Sequence, residues 1–374
     1  MTDNTRFYLA FNLVTGIGPA RLDRLIERCG SIEGAWRATP GDMLAAGIDA
    51  RSAQALIAGQ RTIDIDAAME RAERAGVQLL TREHDAYPAL LAQIPGAPPL
   101  LYVRGQLAAV DAWSVAVVGT RSPTSYGKEA AQRLAGDLAG AGVTIVSGLA
   151  IGIDSIAHRA ALEQGGRTIA VQACGVDLVY PERNRALAAE ICESGAIVSE
   201  FPLGAKPTPQ MFPVRNRLIS GLSLGTLVVE APHGSGALIT VEFALEQGRE
   251  VLAVPGTIFS RMSQGTNALI RNGAAMVTGA QDVLDALNLN TLEVQQEVQA
   301  AFPDDPAEAA LLTHLSFEPQ HVDELRRACG LPVAEVSALL AMMELKGMVR
   351  QAGAMQFVRV RELRERYEVP ERAA

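Results

Sequence analysis

Aromatic side chains make up only 5% of the 374 residues, too few to fill a β-sandwich, while glycine occurs 34 times. Small-residue packing and tight turns of the α/β kind are expected instead. Cysteine is also scarce. Cys29, Cys174, Cys192 and Cys329 lie far apart with no C-x-x-C pair, which excludes a disulfide framework and a zinc cluster and fits reduced thiols in the cytoplasm. The five histidines are equally dispersed. Net positive charge is missing as well: 33 Lys and Arg against 42 Asp and Glu give −9, so attraction to a polyanion must come from a local basic patch. No membrane-spanning run is present, because the longest uncharged stretch, Ala86 to Val103, carries Pro88, Pro95, Pro98 and Pro99. The opening MTDNTRFYLA lacks the basic flank and apolar run of a signal peptide. With 48% hydrophobic and 20% charged residues, what remains is a folded chain with material for two or three domains.

Residues 1–71 read as short helices between turns. Within them Thr15-Gly16-Ile17-Gly18-Pro19-Ala20-Arg21-Leu22 puts two glycines ahead of a helix with proline in its first turn. This suits either a helix-hairpin-helix whose amides hold a phosphate or a plain tight turn. Across 72–287 short apolar strands alternate with helices, which predicts a Rossmann-like, doubly wound parallel sheet covered on both faces. The stretch 288–306 is polar, acidic and ends in proline, as a linker does. Three amphipathic helices and a hairpin follow over 307–361, the pattern of a winged helix-turn-helix, and 362–374 form a tail. Its would-be recognition helix carries Glu335, Ser337 and Glu344 against Lys346 alone, so a protein-contact role is favoured over reading duplex DNA.

Ligands in such sheets bind at the carboxyl ends of the strands, which directs attention to five loops. Gly119-Thr120-Arg121-Ser122 offers hydroxyls, amides and a guanidinium, without the G-x-G-x-x-G or Walker pattern that a nicotinamide cofactor or ATP would use. In Ser147-Gly148-Leu149-Ala150-Ile151-Gly152-Ile153-Asp154 the glycines permit close backbone approach. Asp154 and His158 share a helical face, where a capping Asp is the commoner explanation than acid–base catalysis. From Phe201 through Thr226 the only charged residues are Lys206, Arg215 and Arg217. Phe212 beside them supplies a stacking face for a base, and the arginines supply phosphate contacts, unless one of them pairs with Glu230. His233-Gly234-Ser235-Gly236 and Pro255-Gly256-Thr257, the latter followed by Asn267, add glycines and hydroxyls at helix starts. Together these loops predict a broad anion-binding groove.

The ordered motifs Val117-Val118-Gly119-Thr120-Arg121, Ser147 through Asp154, Tyr180-Pro181, Ser199-Glu200-Phe201-Pro202, Phe212-Pro213-Val214-Arg215-Asn216-Arg217 and Ala253-Val254-Pro255-Gly256-Thr257 closely resemble the DNA-processing protein A (DprA/Smf) family. The resemblance spans about 75 to 287. It implies an extended Rossmann fold that dimerises, with a helical N-terminal module (helix-hairpin-helix or SAM-like) and a C-terminal winged helix. It further implies a bacterial cytoplasmic protein that binds and protects incoming single-stranded DNA during natural transformation and helps load the RecA recombinase, with no catalytic activity and no cofactor. The DNA-contacting positions it implies are Arg121, Ser122, Lys206, Phe212, Arg215 and Arg217, joined by the loop residues Gly148, Gly234, Ser235, Gly236 and Asn267. Two other readings compete. A phosphoribohydrolase acting on nucleotides would need G-G-x-G-T-x-x-E, but here the turn is His233-Gly234-Ser235-Gly236-Ala237 and Glu242 falls two positions late. A transcription regulator working through the winged helix is opposed by that helix's acidic residues.

Overall fold

A computed structural model describes residues 4–289 and, in the C-terminal part, 311, 314–316, 320–345, 349–353 and 355–359. It divides into two compact units, Met1–Leu289 and Asn290–Ala374.

The first unit opens with six helices: α1 (Thr5–Asn12), α2 (Pro19–Cys29), α3 (Ile32–Trp36), α4 (Pro40–Ala45), α5 (Ala50–Thr62) and α6 (Ile65–Arg74). Their starts follow local chemistry. Ser31, Thr39, Asp49 and Asp64 each accept a hydrogen bond from a first-turn amide, and Pro19 and Pro40 stand where no N–H is needed. In the hairpin before α2, Gly16 takes φ +92° against Ser52, and Arg21 bonds the Gly16 carbonyl and Asp49. That arginine is therefore engaged within its own module.

Nine strands form one sheet in the order β1-β2-β6-β5-β4-β3-β7-β8-β9. They are β1 (Gln78–Thr81), β2 (Leu100–Gly105), β3 (Ser114–Val118), β4 (Thr144–Ser147), β5 (Thr168–Val171), β6 (Ala196–Ser199), β7 (Gly225–Val228), β8 (Glu250–Ala253) and β9 (Ala275–Met276). β3 through β9 run parallel, and their central members are buried along their whole length, as strands covered on both faces must be. The all-parallel expectation fails at one edge, where β1 pairs β2 and β2 pairs β6 antiparallel. Intervening helices are α7 (Ala89–Ala92), α8 (Ser125–Gly140), α9 (Ile153–Glu163), α10 (Arg185–Ser194), α11 (Met211–Gly221), α12 (Ala237–Glu246), α13 (Gln264–Arg271) and α14 (Ala280–Ala286).

Alternating residues of the strands feed two cores. Leu79, Leu100, Tyr102 and Ile197 join Phe7, Phe11, Leu25, Trp36 and Leu56 of the N-terminal helices on one face. Leu80, Leu101, Val103 and Val198 join Leu218 and Ile219 of α11 on the other. Each such buried side chain contributes about 1.5–3 kcal/mol, so the helical module and the sheet share a substantial interface. Polar pins fix its register: the Tyr102 hydroxyl donates to Asn12 Oδ1 at 2.9 Å, and Asn12 Nδ2 donates to the Glu200 carbonyl at 3.0 Å.

In the second unit, β10 (Gln320–His321), α15 (Val322–Cys329), α16 (Val333–Leu345), β11 (Val349–Gly353) and β12 (Gln356–Arg359) place Leu325, Val336, Leu340 and Phe357 in one core. The strands pair antiparallel in the order β10-β12-β11. The helix expected over 307–315 falls largely outside the described residues, as do Lys346, the linker beyond Leu289 and the tail. Among the described residues no helix is long and apolar enough to cross a membrane.

Candidate nucleic-acid interface

β4, β5 and β6 lie on one side of β3, while β7 and β8 lie on the other. The loops leaving β3 and β7 therefore diverge, and a crevice opens between them at the topological switch point. It is a half-open cleft of about 440 Å³ walled by Gly119 and Arg121 after β3, Ala150 and Asp154 after β4, Phe212 and Arg215 on α11, and Ser235 and Gly236 before α12.

The first wall is built from the β3 loop. The Thr120 N–H donates to the Glu230 carbonyl at 2.7 Å, and the buried Glu230 carboxylate accepts from the Thr124 N–H at 2.8 Å and the Thr124 hydroxyl at 2.7 Å. Pinned at both ends, the loop presents Arg121 and Ser122 to solvent. The Arg121 guanidinium lies 5.6 Å from the Phe212 ring centre, and the Tyr180 ring lies 5.6 Å from Phe212 on a tilted plane. A second, smaller cavity runs between these three side chains.

Arg215 has a different position from the one its sequence suggests. Only 4% exposed, it sits beneath the cleft floor, and its Nη1 donates to the Gly148 carbonyl at 2.6 Å and to that of Val171. It thus clamps the carboxyl ends of β4 and β5. Gly148 is required here because a Cβ would collide with this guanidinium. Burial pushes the Arg215 pKa down to about 10, opposed by the negative charge of Asp154. Asp154 is itself buried and accepts from the Gly148 and Ala150 amides at 3.1 and 3.3 Å, so these two N–H groups are not open to a phosphate. Burial raises its pKa, while Arg215 and the two amides pull the other way.

Asp154 and His158 do not form an acid–base pair. The His158 Nδ1 lies 2.6 Å from the Thr168 hydroxyl, which itself donates to the Ile145 carbonyl, so the ring nitrogen is the donor. Complete burial, followed by the nearby Arg215 charge, pushes His158 down to about 3 and keeps it neutral.

Of the residues expected at the site, Arg121, Phe212, Arg215, Ser235 and Gly236 meet at the cleft, with Gly148 behind Arg215 and the exposed Gly234 on the loop at φ +75°. Arg217 is not among them. It faces another cavity, between α1, α2 and the β6–α11 loop, where it pairs with Glu200 and donates to the Gly96 carbonyl at 2.8 Å. Glu200, not Glu230, is thus the carboxylate that holds an arginine. Lys206 is exposed in the loop before α11, away from the cleft lining. Asn267 bonds both backbone groups of Gly256, at 3.1 and 2.9 Å, and acts as a strut for the loop after β8. Glu242 is exposed on α12 and is not among the residues that line the cleft. Tyr180 and the anchoring role of Glu230 were the elements that sequence reasoning left unassigned. The Tyr180-Pro181 pair in the loop between β5 and α10 was the available signal for the first.

Comparison with known proteins shows the family to which this fold belongs. The sequence model of the DNA recombination-mediator protein A family matches residues 78–288, and that of the DprA winged helix domain matches 295–355. Protein Smf of Synechocystis is 34% identical over 392 residues, covering 94% of this chain and 98% of that protein. The crystal structure of DNA processing protein A from Streptococcus pneumoniae superposes with a TM-score of 0.67 at 35% identity, over 76% of this chain and 98% of that one. DNA processing protein A from Helicobacter pylori, whose structure was determined for its single-stranded DNA binding mode, superposes with a TM-score of 0.52 at 32% identity, over 58% and 98%. The family resemblance read from the loop motifs holds across nearly the whole sequence, and the chain belongs to the DNA-processing protein A (DprA/Smf) family, with that family's winged-helix domain at its C-terminal end.

Proposed function

We propose that this protein is a single-stranded DNA-binding recombination mediator that grips an unpaired strand along the cleft, protects incoming DNA and helps load RecA during natural transformation. The observation that carries the reading is the exposed Arg121 guanidinium beside the half-buried Phe212 ring that lines the cleft. A base stacks on Phe212, flanked by Tyr180, only when it is unpaired, and Arg121 and Ser122 meet its phosphates. With a net charge of −9, the rest of the surface gives a duplex little to hold. The single-stranded DNA binding of the Helicobacter pylori relative supports the same assignment.

In this reading the protein acts by binding rather than by catalysis, in keeping with the burial of Asp154 and Arg215, which line the cleft and are bonded to the fold itself. It works in the cytoplasm as a homodimer joined through the Rossmann-like domain, whose two-residue edge strand β9 leaves Met276 exposed. Fluorescence anisotropy with single- and double-stranded oligonucleotides at about 50 and 200 mM salt tests the core of this. The single strand binds more tightly, affinity falls with salt, and Arg121→Ala weakens it about tenfold with a shallower salt slope. Equal affinity for the duplex, or unchanged binding by Arg121→Ala, defeats the reading.

A further inference from the structure

The loop after β8 presents two large apolar side chains to water, Ile258 at 82% and Phe259 at 90% exposure. They are not on a frayed segment. Asn267 brackets Gly256 from below, the Tyr126 hydroxyl at the start of α8 donates to the Pro255 carbonyl at 2.7 Å, and the Ser260 amide closes a turn on the Thr257 carbonyl at 3.1 Å. A rigid turn that holds a phenyl ring in solvent marks a docking point.

Its surroundings indicate what docks. From Pro255 to Gln264 the only charged residue is Arg261, which is exposed, and the facing first turn of α8 adds exposed Lys128 with Glu129 beside it. Tyr126, half exposed, lies between this loop and the one bearing Arg121. The loop leaves the carboxyl end of β8, two strand positions from β3, or about 10 Å along the rim that carries the cleft. Three aromatic side chains, Phe212, Tyr126 and Phe259, thus share this edge with two cations, Arg121 and Arg261.

We propose that Phe259 and Arg261 form a second nucleotide subsite, in which a base of the same single strand stacks on the exposed phenyl ring and its phosphate meets the guanidinium. The inference rests on the reading of the cleft as a single-strand site and extends it along the rim. A strand that occupies only the cleft does not reach Phe259, whereas a longer one does.

Anisotropy titrations with oligothymidylates of about 5 and about 15 nucleotides separate the two subsites. Phe259→Ala weakens binding of the longer strand about five- to tenfold and leaves the shorter within twofold, whereas Arg121→Ala weakens both. The ring is exposed, so its removal leaves the fold intact. In Phe259→Trp, affinity is retained and the added indole emission is quenched by the longer strand only. Unchanged affinity of Phe259→Ala for the longer strand, with unquenched Phe259→Trp, overturns the subsite. So does a loss that sedimentation traces to dissociation of protomers, since the ring then serves a second copy of the chain. Sensitivity of the short strand to Arg121→Ala reports on the cleft by itself, so failure at Phe259 with that sensitivity intact sinks only the second subsite.

Discussion

Substituting Arg215 by alanine tests whether this guanidinium is a strut or a phosphate contact. Its Nη1 serves the carbonyls of Gly148 and Val171, and the side chain is 4% exposed. Removing it leaves two buried acceptors without a donor, each costing about 1–3 kcal/mol, and withdraws the positive charge that opposes burial of Asp154. A vacated side-chain volume adds to this, so the expected loss is about 3–5 kcal/mol. In a unit of this size, roughly 2–3 °C follow each kcal/mol, and the melting temperature drops by about 10 °C. Lysine recovers only part of the loss, because one ammonium on a flexible stem cannot reproduce the planar fork. Arg121→Ala is the control: exposed and bonded to no buried group, it shifts melting by less than about 1 °C while weakening oligonucleotide binding. Differential scanning fluorimetry beside anisotropy on the three variants decides. If Arg215→Ala melts with wild type yet binds DNA poorly, the clamp argument is wrong and Arg215 is a surface contact.

Two further outcomes follow from buried groups. Glu230→Gln weakens the charge-assisted bonds to Thr124 and loosens the loop that carries Arg121, so oligonucleotide affinity falls about fivefold and stability by about 1–2 kcal/mol in urea titrations; no change in affinity would show that the loop is held by other means. His158 has a folded pKa of about 3 against an unfolded value of about 6.5, so the unfolded chain takes up the proton first as pH falls. The stability this group provides is complete above about pH 6.5 and is lost progressively toward pH 3, by about 2 kcal/mol between pH 7 and 5. Urea unfolding of wild type and His158→Gln at both pH values measures it, and equal pH dependence of the two refutes the assignment.

The two arginines of α11 show what a sequence can and cannot carry. The alternation of strands and helices was legible because apolar runs and caps are local signals, and α2 starts at the proline that its sequence marks as a first-turn residue. From the sequence the helical pattern is read over Arg215–Leu222, which already puts both arginines on one helix. Proline is tolerated in a first turn, however, and the helix starts at Met211. On a helix, residues two apart point about 200° away from each other. Arg215 and Arg217 therefore cannot share a phosphate. One turns under the cleft to the β4 and β5 ends, and the other turns to Glu200, a partner supplied by the end of β6. Neither partner is adjacent in sequence, and strand order, including the antiparallel β1 and β2, is likewise set by long-range pairing that no local pattern specifies. The same geometry shows how an acidic chain would hold DNA in the proposed reading. Its buried cations shape the rim, and the few exposed ones, Arg121 foremost, stand beside aromatic faces where a single guanidinium acts together with stacking.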